Sequence, residues 1–162
     1  MPDPLAFLLT FRTYGTWLHG DDRGAVDLEH NTPGTPLLQP EAAREQRERR
    51  AMKAEPMILN ERMRSVVDAA IIDECAYRKW NLLERAVRSN HVHIAVAFAG
   101  LRPERMIQKI KARATRWLRE RGLVHTGQPV WADRPGSRRY LWSAKQVNAA
   151  IDYVREGQDT PR

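Results

Sequence analysis

Two short runs constrain this chain most: LAFLLTFR at 5–12 and HVHIAVAF at 91–98. Both are mainly apolar, both are far too short to cross a membrane, and their residues suit strands. As the most apolar strands of the chain they are expected in the middle of a sheet, each with a neighbour on either side.

Helical periodicity fills the space between and after them. Met63, Val66, Val67, Ala70, Ile71, Glu74 and Tyr77 recur at i, i+3, i+4 spacing, which predicts a core-facing helix over about 61–78 with Asn60 as its N-cap. A second helix over 103–121 has one apolar face made of Met106, Ile107, Ile110, Ala114, Trp117 and Leu118. Lys109, Arg113 and Arg116 share another face of it, with Lys111 and Arg119 nearby. KWNLLERAVR (79–88) reads as a strand joined to the 91–98 run through Ser89-Asn90, a pair suited to a tight hairpin. RRYLW (138–142) reads as a last short strand. SAKQVNAAIDYVREG follows as a closing helix, capped by Ser143 and ended by Gly157. The order is βαββαβ plus one helix, an α+β chain of ferredoxin-like type: an antiparallel four-stranded sheet with helices on one face, then an added helix carrying Tyr153.

A length of 162 residues suits one domain spanning 1–162. Within it, about 13–58 reads as an insertion: a long loop rich in Gly, Pro, Asp and Thr, then an exposed, nearly all-polar helix from Pro40 to about Lys53. The apolar N-terminal stretch has no basic segment ahead of it and reads as a strand, not a signal peptide. No membrane partner is expected. A single cysteine, Cys75, excludes an intramolecular disulfide and any multi-cysteine zinc site, and it reads as a buried filler in a reducing cytoplasm. With 27 Lys and Arg against 20 Asp and Glu, the net charge is +7, which favours polyanionic partners.

His91 and His93 stand two apart at the mouth of the third strand, so they project from one face. Such a pair can grip a divalent ion or form part of a phosphate-handling site, and histidines so spaced are as often simply solvated. Two imidazoles leave an ion short of ligands, and a third group must come from another element. The final helix offers Asp152, Tyr153 and Glu156 on the side opposite its packing residues Val147, Ala150, Ile151 and Val154.

LLTFRTYGTWLHGDDRG near the start, SNHVHIAVAF in the middle, and RRYLW followed by AIDYVREGQ at the end together resemble the HUH nucleases. More closely, the chain is similar to the single-tyrosine HUH transposases, the IS200-like enzymes that include the REP-associated tyrosine transposases. The resemblance implies a DNA strand transferase that cleaves and rejoins single-stranded or hairpin DNA through a 5′-phosphotyrosine. Tyr153 would be the nucleophile, and Mg²⁺ or Mn²⁺ would sit between His91 and His93. In the family pattern a glutamine one turn after the tyrosine completes the metal site. Here that position is Gly157, and Gln158 stands one further on, so Gln158 is the expected third ligand and Glu156 the alternative. Family members include homodimers that exchange tyrosine helices, and a monomer fits equally well. The same fold without chemistry, a single-stranded nucleic-acid-binding protein, is the rival reading. A metal hydrolase built around HVH is disfavoured, because no further His or acidic residue near the pair completes its site.

Tyr14, Tyr77 and Tyr140 have ordinary loop or packing positions, and His19, His30 and His125 fall in turn-rich segments. DNA contact is expected through phosphate-directed charge on Lys109, Arg113, Arg116, Arg138 and Arg139. Trp17, Trp131 and Trp142 are candidates for base stacking or for burial.

Overall fold

The computed structural model describes residues 2–16 and 55–156. Its elements are β1 (Ala6–Arg12), α1 (Glu61–Arg78), β2 (Leu82–Val87), β3 (His91–Ala97), α2 (Pro103–Glu120), β4 (Ser137–Leu141) and α3 (Ala144–Glu156). One four-stranded sheet runs in the order β2-β3-β1-β4 with every neighbouring pair antiparallel, which is the ferredoxin-like arrangement. The two most apolar strands are the two central ones. A central strand has neighbours on both sides, so side chains on both its faces must pack against something.

On one face Phe7, Leu9 and Phe11 of β1 and Val92, Ile94 and Val96 of β3 are buried under α1 and α2. Those helices bring Val67, Ala70 and Ile71, and Met106, Ile107, Ile110, Ala114 and Leu118. Each such large side chain removed from water contributes roughly 1.5–3 kcal/mol before conformational entropy is subtracted. The opposite face carries a smaller cluster. Ala6 and Leu8 of β1, Ala95 of β3 and Leu141 of β4 pack there against Ala150 and Val154 of α3. The added helix therefore lies across the sheet from the other two.

Local chemistry fixes the ends. Asn60 caps α1 by accepting the Met63 N–H at 2.9 Å. The helix stops at Lys79, whose φ of 62° is left-handed, and Trp80 N–H returns to the Cys75 carbonyl at 2.8 Å. That reversal keeps residues 79–81 out of β2, which starts at Leu82 and not at 79 as the sequence predicts. Ser143 caps α3 as expected, accepting the Gln146 N–H at 3.1 Å. Tyr77 departs from expectation. It stands on the wheel with the apolar stripe of α1 yet is 68% exposed. Its ring is flanked by the guanidinium groups of Arg78 and Arg113. The expected helix over 40–53 and the capping Gly157 lie outside the described residues.

Candidate active site

The sheet face beneath α3 is where chemistry-bearing side chains gather. Alternation along β1 sends Leu8, Thr10 and Arg12 to that face, and along β3 it sends His91, His93 and Ala95 there. The antiparallel register sets Thr10 opposite His93 and Arg12 opposite His91. The two imidazoles lie edge to face with ring centroids 4.9 Å apart. His93 is buried at 6% exposure, and His91, one pleat nearer the hairpin, is half-buried.

Tyr153 comes to the same spot from α3. It sits three residues after Ala150 and so shares that residue's sheet-facing side, where it packs against the small cluster, and its ring meets that of His93 edge to face at 5.3 Å. This corrects the expectation that Tyr153 points away from the packing side. The sheet below is not purely apolar at this point. Thr10 and His93 give it a polar patch, and a tyrosine with an apolar body and a polar tip is what such a patch accommodates. Asp152 and Glu156 are exposed.

Each imidazole is held at its Nδ1. His91 Nδ1 lies 2.7 Å from Asn90 Oδ1, to which it donates, and His93 Nδ1 lies 2.7 Å from Thr10 Oγ1. The chemistry of this donor set fits a divalent ion: neutral imidazoles anchored through one nitrogen act as ligands through the other. Among the described residues no three His, Cys, Asp or Glu side chains group as a metal cluster. Gln158 lies outside the described residues.

A cleft of about 710 Å³ opens beside Tyr153, lined among others by Thr10, Ser137, Arg139, Ser143 and Lys145. Among the described residues no acidic side chain lines it. Arg139 and Lys145 are both exposed, and neither has a carboxylate partner among the described residues. Lys145, unlike Arg139, was not singled out from the sequence. The signal for it is its place on the first turn of a capped helix beside the last strand.

The other basic candidates fall elsewhere. Arg138 alternates to the α2 side of β4, where it pairs with Glu104 at 2.9 Å and donates to the Gly136 carbonyl. Arg113 joins α2 to α1 through Asp73 and Glu74. Burial alone would raise the Glu74 carboxyl, but hydrogen bonds and charge from Arg78 and Arg113 outweigh it and hold the group below its ordinary range. Lys109 and Arg116 also ride on α2, across the sheet from the histidines. Lys111 is a core-edge residue: it donates to the Ala132 and Arg134 carbonyls, and burial pushes its ammonium below the ordinary lysine value, only partly offset by the charge of Asp133. Cys75 is buried as expected, and that burial pushes its thiol up to about 11. Trp131 is half-buried, with its indole N–H donated to Thr115 and Lys111, while Trp142 is exposed and stacked on Tyr140. His125 is exposed. Trp17, His19 and His30 lie outside the described residues.

With this geometry in view, a known family model matches the chain. The family model described as "Transposase IS200 like" matches residues 51–156, and the chain belongs to that family. No curated protein matches the chain. Among solved structures the fold is similar to that of a REP-associated tyrosine transposase bound to a REP hairpin, with a TM-score of 0.51 and 12% identity over 98% of this chain and 68% of that one. At that identity the likeness speaks for the fold. No helix among the described residues is long and apolar enough to cross a membrane.

Proposed function

We propose that this chain is a transposase that cleaves and rejoins single-stranded or hairpin DNA, with Tyr153 as its nucleophile. One observation carries the reading: within a single chain, the Tyr153 ring touches His93, which in turn touches His91. Membership of the IS200-like family supports it, as does the similarity to a fold seen with a REP hairpin.

In the reaction the Tyr153 oxygen attacks the scissile phosphorus and loses its proton to water. The bond from phosphorus to the 3′-oxygen breaks, and that oxygen leaves as a hydroxyl after taking up a proton. The product is a 5′-phosphotyrosine. Attack by another 3′-hydroxyl reverses the step and joins strands, so bond energy is kept and no nucleotide triphosphate is needed. His91, His93 and Gln158 would hold Mg²⁺ or Mn²⁺, which when bound polarises a phosphate oxygen. Arg139 and Lys145 neutralise phosphate charge along the cleft that Tyr153 lines. We assign the DNA path to this face because Arg113 and Arg138 are engaged in ion pairs and Lys109 and Arg116 stand across the sheet. One chain holds the tyrosine and both histidines, so we propose that a monomer suffices.

Incubation with labelled single-stranded DNA and Mn²⁺ tests this. A covalent protein–DNA adduct that disappears in Tyr153→Phe is expected. DNA binding with no adduct under Mg²⁺ or Mn²⁺ would instead identify a binding protein that keeps the fold without the chemistry.

A further inference from the structure

Neutral imidazole has two tautomers, and the free side chain prefers to carry its proton on Nε2. Only the nitrogen without a proton has a lone pair for a metal ion or for an incoming hydrogen bond. In this chain both imidazoles have their Nδ1 engaged by an oxygen at 2.7 Å. Asn90 Oδ1 has no proton to give, so His91 Nδ1 must supply it. The Thr10 hydroxyl accepts as readily as it donates, and it stands directly opposite His93 in the β1–β3 ladder.

Neither oxygen is loosely placed. Thr10 is on a central strand between β3 and β4, paired with His93 on one side and Ser137 on the other. Asn90 ends the hairpin turn, and its carbonyl accepts the backbone N–H of Thr13 at 3.0 Å. Thr13 is fully buried, with its hydroxyl 2.6 Å from the Met57 carbonyl. A central strand and a tight turn thus fix the two oxygens at the same nitrogen of neighbouring histidines.

We infer that Thr10 and Asn90 are positioning residues: they fix His93 and His91 in the Nδ1-protonated tautomer, opposite to the free side chain's preference, and so put both ring lone pairs on Nε2. The inference rests on the proposed function for its purpose, since a metal pair is what two such lone pairs serve. Its test stands apart from DNA cleavage.

Long-range ¹H–¹⁵N spectra of the full chain without metal, at about two pH units above the ordinary imidazole value of roughly 6.5, read each tautomer directly. Both His91 and His93 are expected as Nδ1–H. Thr10→Val keeps the shape and β-branching of the side chain but removes the acceptor. It should move His93 toward Nε2–H and weaken Mn²⁺ binding, followed by titration calorimetry, by about 10–100-fold. Thr10→Ser should restore both readouts. Asn90→Ala should act in the same way on His91 alone. Nε2–H rings in the unaltered chain, or a Thr10→Val chain that is folded and retains the Nδ1–H signal of His93, would overturn the inference. A clean Nδ1–H signature in a chain that never forms a DNA adduct would uphold it while refuting the transferase reading.

Discussion

Tyr153 has neighbours that make its role separable from its packing. The ring contributes to the small cluster under α3, whereas the hydroxyl is the group the proposed chemistry needs. Tyr153→Phe should therefore change unfolding free energy by less than about 1 kcal/mol while reducing adduct formation by at least about a thousandfold. Denaturant melts and adduct gels on the same preparation check both halves. Glu74 presents the reverse case, a charged residue whose work is structural. It is 3% exposed and bound by Arg78 and Arg113. Glu74→Ala leaves Arg113 facing a half-emptied site and should cost about 3 kcal/mol in urea unfolding, with little effect on DNA binding. The sign of its pH dependence follows from its lowered value. The carboxylate stabilises the fold above the ordinary 4.5, and that contribution is lost as pH falls through the lower folded value. Unfolding measured from neutral pH down to about 3 should be less steep in Glu74→Gln than in the unaltered chain.

At the level of elements, the β1–β4 junction decides whether the site can form. Gly136 has a φ of 92°, and a Cβ there would run into the Thr10 carbonyl oxygen and come within 3.1 Å of Phe11 Cβ. Gly136→Ala should destabilise by about 2 kcal/mol or more from backbone strain and collision together. Because Thr10 is the strand residue displaced, Mn²⁺ affinity should fall with stability, which calorimetry on the folded fraction would detect. The elements themselves were largely legible in the sequence. β1 and β3 are apolar because they are central, Asn60 and Ser143 are caps with a specific backbone N–H to accept, and α2 has an unbroken apolar face. Less legible was anything that depends on what an element packs against. Sorting α3 by polarity put Tyr153 on the outer side, because the wheel does not know that the sheet beneath presents Thr10 and His93. The charge of α2 likewise suggested a nucleic-acid face, but Arg113 is consumed by Asp73 and Glu74 of α1, a pairing that spans about 40 residues and leaves no local pattern. Thr10 and Asn90 did leave a trace: a lone hydroxyl within an apolar strand, and an amide directly before the first histidine.

Across the whole molecule, a net charge of +7 says that polyanions are attracted but not where they bind. The sheet separates two basic surfaces, one on α2 and one in the cleft beneath α3. Changing Arg139 and Lys145 together to Gln should weaken single-strand binding and reduce the slope of log K against log salt by about 1.4, for two phosphate contacts. The same change at Lys109 and Arg116 should leave that slope nearly unaltered. Equal effects from both pairs would contradict the assignment of the DNA path. The contact of Tyr153 with His93 inside one chain also predicts that mixing Tyr153→Phe with His93→Ala regains no activity. Recovery on mixing would mean that tyrosine helices are exchanged between subunits.

The central claim is that the phenol of α3 is the group that becomes joined to DNA. The most direct measurement is to incubate the chain with Mn²⁺ and a pool of labelled randomised single strands, digest it, and identify the modified peptide by mass spectrometry. The account predicts one DNA-linked peptide, with the phosphate on Tyr153. Linkage to Tyr14, Tyr77 or Tyr140, or bound DNA recovered with no linked peptide, would contradict it.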